Sequence, residues 1–130
     1  TILCSIQYNE LREVVRMGEE RDVLESLLLE MRRGTLVLGV LSQLDKPQYG
    51  YALVQRMESR GVPIDPNTLY PLLRRLEKQG LLESRWETDG PKPRKYYRRT
   101  PYGETIFGTL RQQWREMSAG VENLLKKETD

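Results

Sequence analysis

Between Asp65 and Gly80 the chain carries both a start and a stop for a single helix. Asp65 offers a carboxylate at the N-cap, and Pro66 brings the fixed φ favoured at the first helical position. Gly80 is the residue type that ends helices. Inside this stretch Leu69, Leu72, Leu73 and Leu76 fall three or four residues apart and make one apolar face. The other face carries Asn67, Thr68, Tyr70, Arg74, Arg75 and Lys78. Residues 81–86 and 94–99 then read as strands, joined by the turn-rich Glu87-Thr88-Asp89-Gly90-Pro91-Lys92-Pro93. A capped helix feeding directly into a two-stranded hairpin leaves few architectures open.

The segments on either side narrow them further. Residues 19–33 predict a helix whose inner face is Val23, Leu24, Leu27, Leu28 and Met31. Glu19, Glu20 and Asp22 at its start and Arg32 and Arg33 at its end complement the helix dipole, and Gly34 is expected to close it. Residues 35–44 predict a second helix with Leu36, Val37, Val40, Leu41 and Leu44 apolar, broken by Asp45-Lys46-Pro47. A third follows over 49–60, with Tyr49, Leu53, Val54 and Met57 inward and Gly61 at its close. Residues 1–16 show weak periodicity. They are expected to be a variable arm, or to precede a natural start at Met17.

Residues 101–127 predict one long helix. Ile106, Leu110, Trp114, Met117, Val121 and Leu124 step by four, four, three, four and three, a coiled-coil-like seam about three heptads long. A small domain has little core to offer such a helix, and a second copy of the chain is the simplest cover. The expected fold is mainly α: a winged helix-turn-helix with a two-stranded wing and a long C-terminal dimerisation helix. Residues 1–18 would be an arm, 19–33 an extra N-terminal helix, 34–100 the winged helix-turn-helix DNA-binding domain and 101–130 the dimerisation helix.

Composition excludes more than it indicates. The formal net charge of the 130 residues is only +2. The distribution is uneven: residues 74–99 carry nine basic and four acidic side chains, net +5, whereas residues 1–33 carry five and seven, net −2. The excess marks a local basic surface. There is no histidine, so zinc sites built on histidine and triads with a histidine base are excluded. Cys4 is the only cysteine, which fits a reducing cytoplasm. No stretch approaches the roughly 20 apolar residues of a membrane span. With no nucleophile-and-base set, the expected mechanism is binding without a cofactor, not catalysis.

In this order of elements the helix after Asp65 occupies the recognition position. Such a helix enters the major groove by its N-terminal part, where all four base pairs show distinct edges. Asn67, Thr68 and Tyr70 sit at that end, with Arg74 and Arg75 a turn later for phosphate or guanine. On the wing, Lys92, Arg94 and Lys95 can follow the backbone or reach the minor groove, with Arg98 and Arg99 beyond them. Tyr96 and Tyr97 alternate, so one faces the core and the other the surface. Plainer readings stand beside these. Exposed arginines are usually solvated, basic strands protect sheet edges, and Trp114 on a helical stripe is more often interface than ligand platform. The rival function is a winged helix that binds proteins and never touches DNA.

The chain also resembles the phenolic acid decarboxylase regulator (PadR) family of bacterial repressors over residues 31–127. The resemblance is carried by Arg33-Gly34-Thr35-Leu36, Tyr49-Gly50-Tyr51, Thr68-Leu69-Tyr70-Pro71-Leu72-Leu73-Arg74-Arg75-Leu76-Glu77, Gly80-Leu81-Leu82-Glu83-Ser84, Arg94-Lys95-Tyr96-Tyr97 and Thr100-Pro101-Tyr102-Gly103. A proline inside a recognition helix removes a backbone hydrogen bond, which makes the Thr-Leu-Tyr-Pro run specific. The resemblance implies a homodimeric repressor reading a pseudo-palindromic operator. It implies DNA contacts from Thr68, Tyr70, Arg74, Arg94 and Lys95, and phosphate contacts from Tyr49 and Tyr51. It places the chain in the short subgroup, where long C-terminal helices dimerise and some members bind flat aromatic or drug-like effectors between subunits. Trp114, with Leu110 and Met117, is the candidate surface for the interface or such an effector. Asn67 departs from the glycine often found before this Thr. The stretch before Met31 is longer than the family core, and is expected to dock on the C-terminal helix and enlarge the dimer interface.

Overall fold

The computed structural model describes residues 2–128, with side chains from residue 9 onward. The chain divides into two units, residues 1–35 and 36–130. The first consists of helix α1, which runs from Ile2 to Ser42 and contributes its last turns to the second unit. The expected stop at Gly34 does not occur. Glycine in a helix interior costs about 1 kcal/mol but does not forbid it, and the flanking leucines and valines propagate the helix through it. Only Gly61 and Gly80 take positive φ among the described residues. In residues 9–31, Leu11, Val14, Val15, Met17, Val23, Leu24, Leu27 and Met31 are all exposed. Arg16 bonds Glu13 at 2.7 Å and lies 3.9 Å from Glu20, ion pairs at helical spacing that support the segment locally.

The second unit holds the core. After α1 the chain forms β1 (Gln48–Tyr49), α2 (Gly50–Ser59), α3 (Pro66–Lys78), β2 (Leu82–Glu87), β3 (Arg94–Arg99) and α4 (Pro101–Leu125). Val40, Leu41 and Leu44 meet Leu53 and Met57 of α2 and Leu69, Leu72, Leu73 and Leu76 of α3, with Leu82 and Tyr97 closing the cluster from the sheet. The buried residues of α3 are the four leucines whose spacing predicts its apolar face.

Local chemistry sets the boundaries of α3. The Asp65 carboxylate accepts a hydrogen bond from the Asn67 amide at 2.7 Å. At the other end the Leu81 amide donates to the Leu76 carbonyl at 2.9 Å and the Gly80 amide to that of Glu77 at 3.0 Å. This pair of bonds needs a left-handed residue between them, and Gly80 at φ +83° supplies it. The same arrangement at Gly61 ends α2, where Val62 donates to the Met57 carbonyl. Thr100 caps α4 by accepting from Gly103 at 2.9 Å, while its hydroxyl donates to the Gly80 carbonyl at 2.6 Å. The start of α4 is thereby tied to the end of α3. A Cβ at Gly103 would overlap the Leu81 carbonyl, so this junction admits no larger residue.

The wing is larger than the expected two strands. The sheet has three antiparallel strands in the order β1-β3-β2, with Gln48 opposite Tyr97 and Tyr49 opposite Tyr96. Two residues between Pro47 and Gly50 are too few to show a strand period, which is why β1 escapes a periodicity argument. β2 and β3 pair from Leu82–Arg99 to Glu87–Arg94. Directly opposed residues share a face. Leu82, Ser84 and Trp86 therefore lie with Arg99, Tyr97 and Lys95 on one face. Glu83, Arg85 and Glu87 lie with Arg98, Tyr96 and Arg94 on the other.

Candidate nucleic-acid interface

Helix α3 presents its outer face as the sequence predicts. With the four leucines inward, Asn67, Thr68, Tyr70, Arg74, Arg75 and Lys78 are all exposed. They do not point the same way. At 3.6 residues per turn, Asn67, Arg74 and Lys78 follow one line opposite the core, Tyr70 and Glu77 flank it on one side, and Thr68 and Arg75 flank it on the other. Pro71 sits within the helix and cannot donate to the Asn67 carbonyl. The helix stays continuous around it, because the first turn is already held by Asp65.

The Tyr70 flank faces the sheet. Tyr49, Tyr70, Arg74, Arg94 and Lys95, five of the ten residues singled out for DNA, line one notch of about 380 Å³ together with Gly50, Trp86, Pro93 and Tyr97. Tyr70 lies across Gly50, the first residue of α2, so closely that a Cβ there would come within 2.5 Å of its ring. That contact explains the glycine between Tyr49 and Tyr51. Tyr49 packs edge-on against Tyr96, with ring centroids 5.6 Å apart, and the Arg94 guanidinium lies 4.5 Å over the Tyr49 ring. The short strand β1 thus holds the wing arginine in place.

Tyr51, Asn67, Thr68, Arg75 and Lys92 are exposed but do not line the notch. Lys95 lies on the inner sheet face and its ammonium is 3.6 Å from the Glu77 carboxylate. Arg98 is paired with Glu83 at 2.6 Å on the outer face. Arg99 is structural. Its side chain is 8% exposed, donates to the Leu41 carbonyl at 2.7 Å and to Glu104 at 2.8 Å, and lies 4.4 Å over the Phe107 ring. Trp86 is the residue that sequence reasoning passed over. It shares the face of Leu82 yet is 60% exposed, because the outer end of the hairpin runs past the core. Its position near the loop, opposite a basic residue, was the available signal.

On α4, Ile106, Phe107 and Leu110 are half-buried against the core. From Trp114 onward the predicted seam is open: Trp114, Met117, Val121 and Leu124 are exposed. No group of metal-binding side chains occurs among the described residues, and no helix among them is long and apolar enough to cross a membrane.

Comparison with known proteins gives the family. Residues 37–109 match the transcriptional regulator PadR-like family. A transcriptional regulator of Mycobacterium tuberculosis is 33% identical over 93 residues, covering 71% of this chain and 87% of the relative. A PadR family transcriptional regulator of Eggerthella lenta has a crystal structure that superposes with a TM-score of 0.79. It shares 52% identity across 85% of this chain and 98% of its own. A PadR-like transcriptional regulator of Bacillus cereus gives a TM-score of 0.68 at 30% identity, over 76% of this chain and 99% of its own.

Proposed function

The chain belongs to the transcriptional regulator PadR-like family, and from that premise we propose that it is a homodimeric repressor that grips operator DNA between helix α3 and the wing. The observation that carries this reading is the notch beside the exposed helix face: Arg74 of α3 and Arg94 of the wing line it together with Tyr49 and Tyr70, and the Arg94 guanidinium lies over the Tyr49 ring. In the proposed complex the N-terminal half of α3 enters the major groove. Asn67, Thr68 and Tyr70 meet base edges, and Arg74 and Arg75 meet guanine or phosphate. Lys92 and Arg94 follow the backbone from the wing, with Tyr49 and Tyr51 alongside.

Dimerisation places two such helices in successive major grooves, about 34–36 Å apart or a multiple of it. The open stripe of Trp114, Met117, Val121 and Leu124 supports α4 as the interface, continued from Ile106 and Leu110. Release by a flat aromatic effector seated near Trp114 would act by favouring a subunit spacing that no longer matches DNA.

The deciding measurement is binding to duplex DNA across a salt series. Phosphate contacts make the logarithm of affinity fall steeply with the logarithm of salt concentration. Absence of binding to any duplex from a random-sequence pool at low salt would replace this reading with a protein-docking winged helix.

A further inference from the structure

We propose that Lys95 is a positioning residue for DNA binding: its ammonium locks the wing to the recognition helix through Glu77 and is not spent on a phosphate. The proposal rests on the DNA-binding reading above. It assigns to the Lys95–Glu77 pair the angle at which wing and helix meet the duplex.

The strand register makes the case. Lys95 opposes Trp86 and is two residues from Tyr97, so it shares the sheet face that α3 covers, whereas Arg94 is on the other face. Its ammonium is 3.6 Å from the Glu77 carboxylate, 5.3 Å from the Tyr97 ring and 6.0 Å from that of Trp86. Both side chains are about a third exposed, against half for the Arg98–Glu83 pair on the outer face. The second carboxylate oxygen of Glu77 is buried and accepts no hydrogen bond among the described residues. Lys95 is therefore the compensating charge for a carboxylate that is partly out of water. Removing one member of such a pair costs more than the pair contributes.

The position of this pair gives it leverage. Leu82 and Tyr97 are buried and anchor the inner half of the hairpin. Past them the hairpin has left the core, as the exposure of Trp86 shows. Lys95–Glu77 is the polar tie between that outer half and the helix. Glu77 stands near the end of α3, so a change in this tie shifts the wing tip relative to the Asn67–Arg74 face. A carboxylate at this place would repel a nearby phosphate unless neutralised, and Lys95 neutralises it.

The test begins with a duplex selected from a random-sequence pool by the native protein. Failure to select one removes the DNA-binding reading itself. With that duplex, affinity and its salt dependence are measured for Lys95→Gln, Glu77→Gln, the double variant and Arg94→Gln. A lock predicts that each of the first two weakens binding by about tenfold and that the double variant is no weaker than either, since they break one interaction. It also predicts an unchanged salt slope for Lys95→Gln, beside a loss of about one unit for Arg94→Gln. The exchanged pair Glu77→Lys with Lys95→Glu should recover binding to within about threefold. A Lys95→Gln slope reduced by about one, together with tighter binding by Glu77→Gln, would show that Lys95 contacts phosphate directly and overturn the proposal. Independent, additive effects in the neutral cycle would overturn it equally. If the exchanged pair does not fold by circular dichroism, the neutral cycle decides alone.

Discussion

Arg98 and Arg99 show how little a basic run says about charge available to a partner. Arg98 lies on the outer sheet face and engages Glu83 at 2.6 Å. Arg99 lies on the inner face, where it satisfies the Leu41 carbonyl and covers Phe107. The strand period of two separates them, and the same period separates Arg94 from Lys95. Alternation groups Lys95 and Arg99 with Tyr97, and Arg94 and Arg98 with Tyr96; the burial of Tyr97 then places the first set against the core. Two outcomes follow at this scale. Arg99→Gln should lower stability by about 2 kcal/mol in urea unfolding, because a buried carbonyl loses a charged donor. Its salt slope for DNA should match the native protein. Arg94→Ala should leave the urea midpoint nearly unchanged and reduce the slope of log affinity against log salt by about one.

Among elements, α3 was the most legible, since its start, stop and inner face are all written in local residue types. Asp65 and Pro66 act on the first turn, Gly80 on the last, and the leucines at helical spacing. Helix α1 runs through Gly34 near its end, because a lone glycine is a stop only where the chain must turn. Nothing lies within 4 Å of a Cβ built at Gly34, and no turn is required there. Gly103 is the opposite case: its role depends on the Leu81 carbonyl, twenty-two residues away in sequence. Gly103→Ala should cost about 3 kcal/mol, the upper range for overpacking, because the obstructing atom is backbone and cannot rotate aside. Gly108→Ala, five residues on with nothing within 4 Å, should be neutral or slightly stabilising, and thermal melts of the two variants beside the native protein check both values. A small cost at Gly103 would mean that the α3–α4 junction is looser than this geometry.

For the molecule as a whole, the outstanding feature is a helix α4 longer than the core it serves. Its first turns pack on the unit and the stripe from Trp114 to Leu124 is open. In a dimer built on that stripe, Trp114→Ala should weaken self-association by about 2 kcal/mol, roughly thirtyfold in Kd by sedimentation equilibrium. The two tryptophans separate the two surfaces. In Trp114→Phe the remaining indole is Trp86 at the notch, and its emission should change on adding DNA. In Trp86→Phe the emission should instead follow dimer dissociation. A Trp114→Ala protein with native self-association would remove α4 as the interface.

What the sequence determined by itself is α2, α3, the β2–β3 hairpin and α4, with the buried face of α3. Caps, helical spacing and strand alternation act within a few residues, so they are readable along the chain. The Thr-Leu-Tyr-Pro run and the motifs around it also pointed to the right family. What only the tertiary structure decided is which of the charges after Leu73 remain free. Lys95, Arg98 and Arg99 are engaged by Glu77, Glu83 and Glu104, and by the Leu41 carbonyl, each on another element or far along the chain. Two-residue β1 and the exposed Trp86 belong to the same class. Their roles come from which backbone lies opposite and from where the core ends, and neither quantity is local.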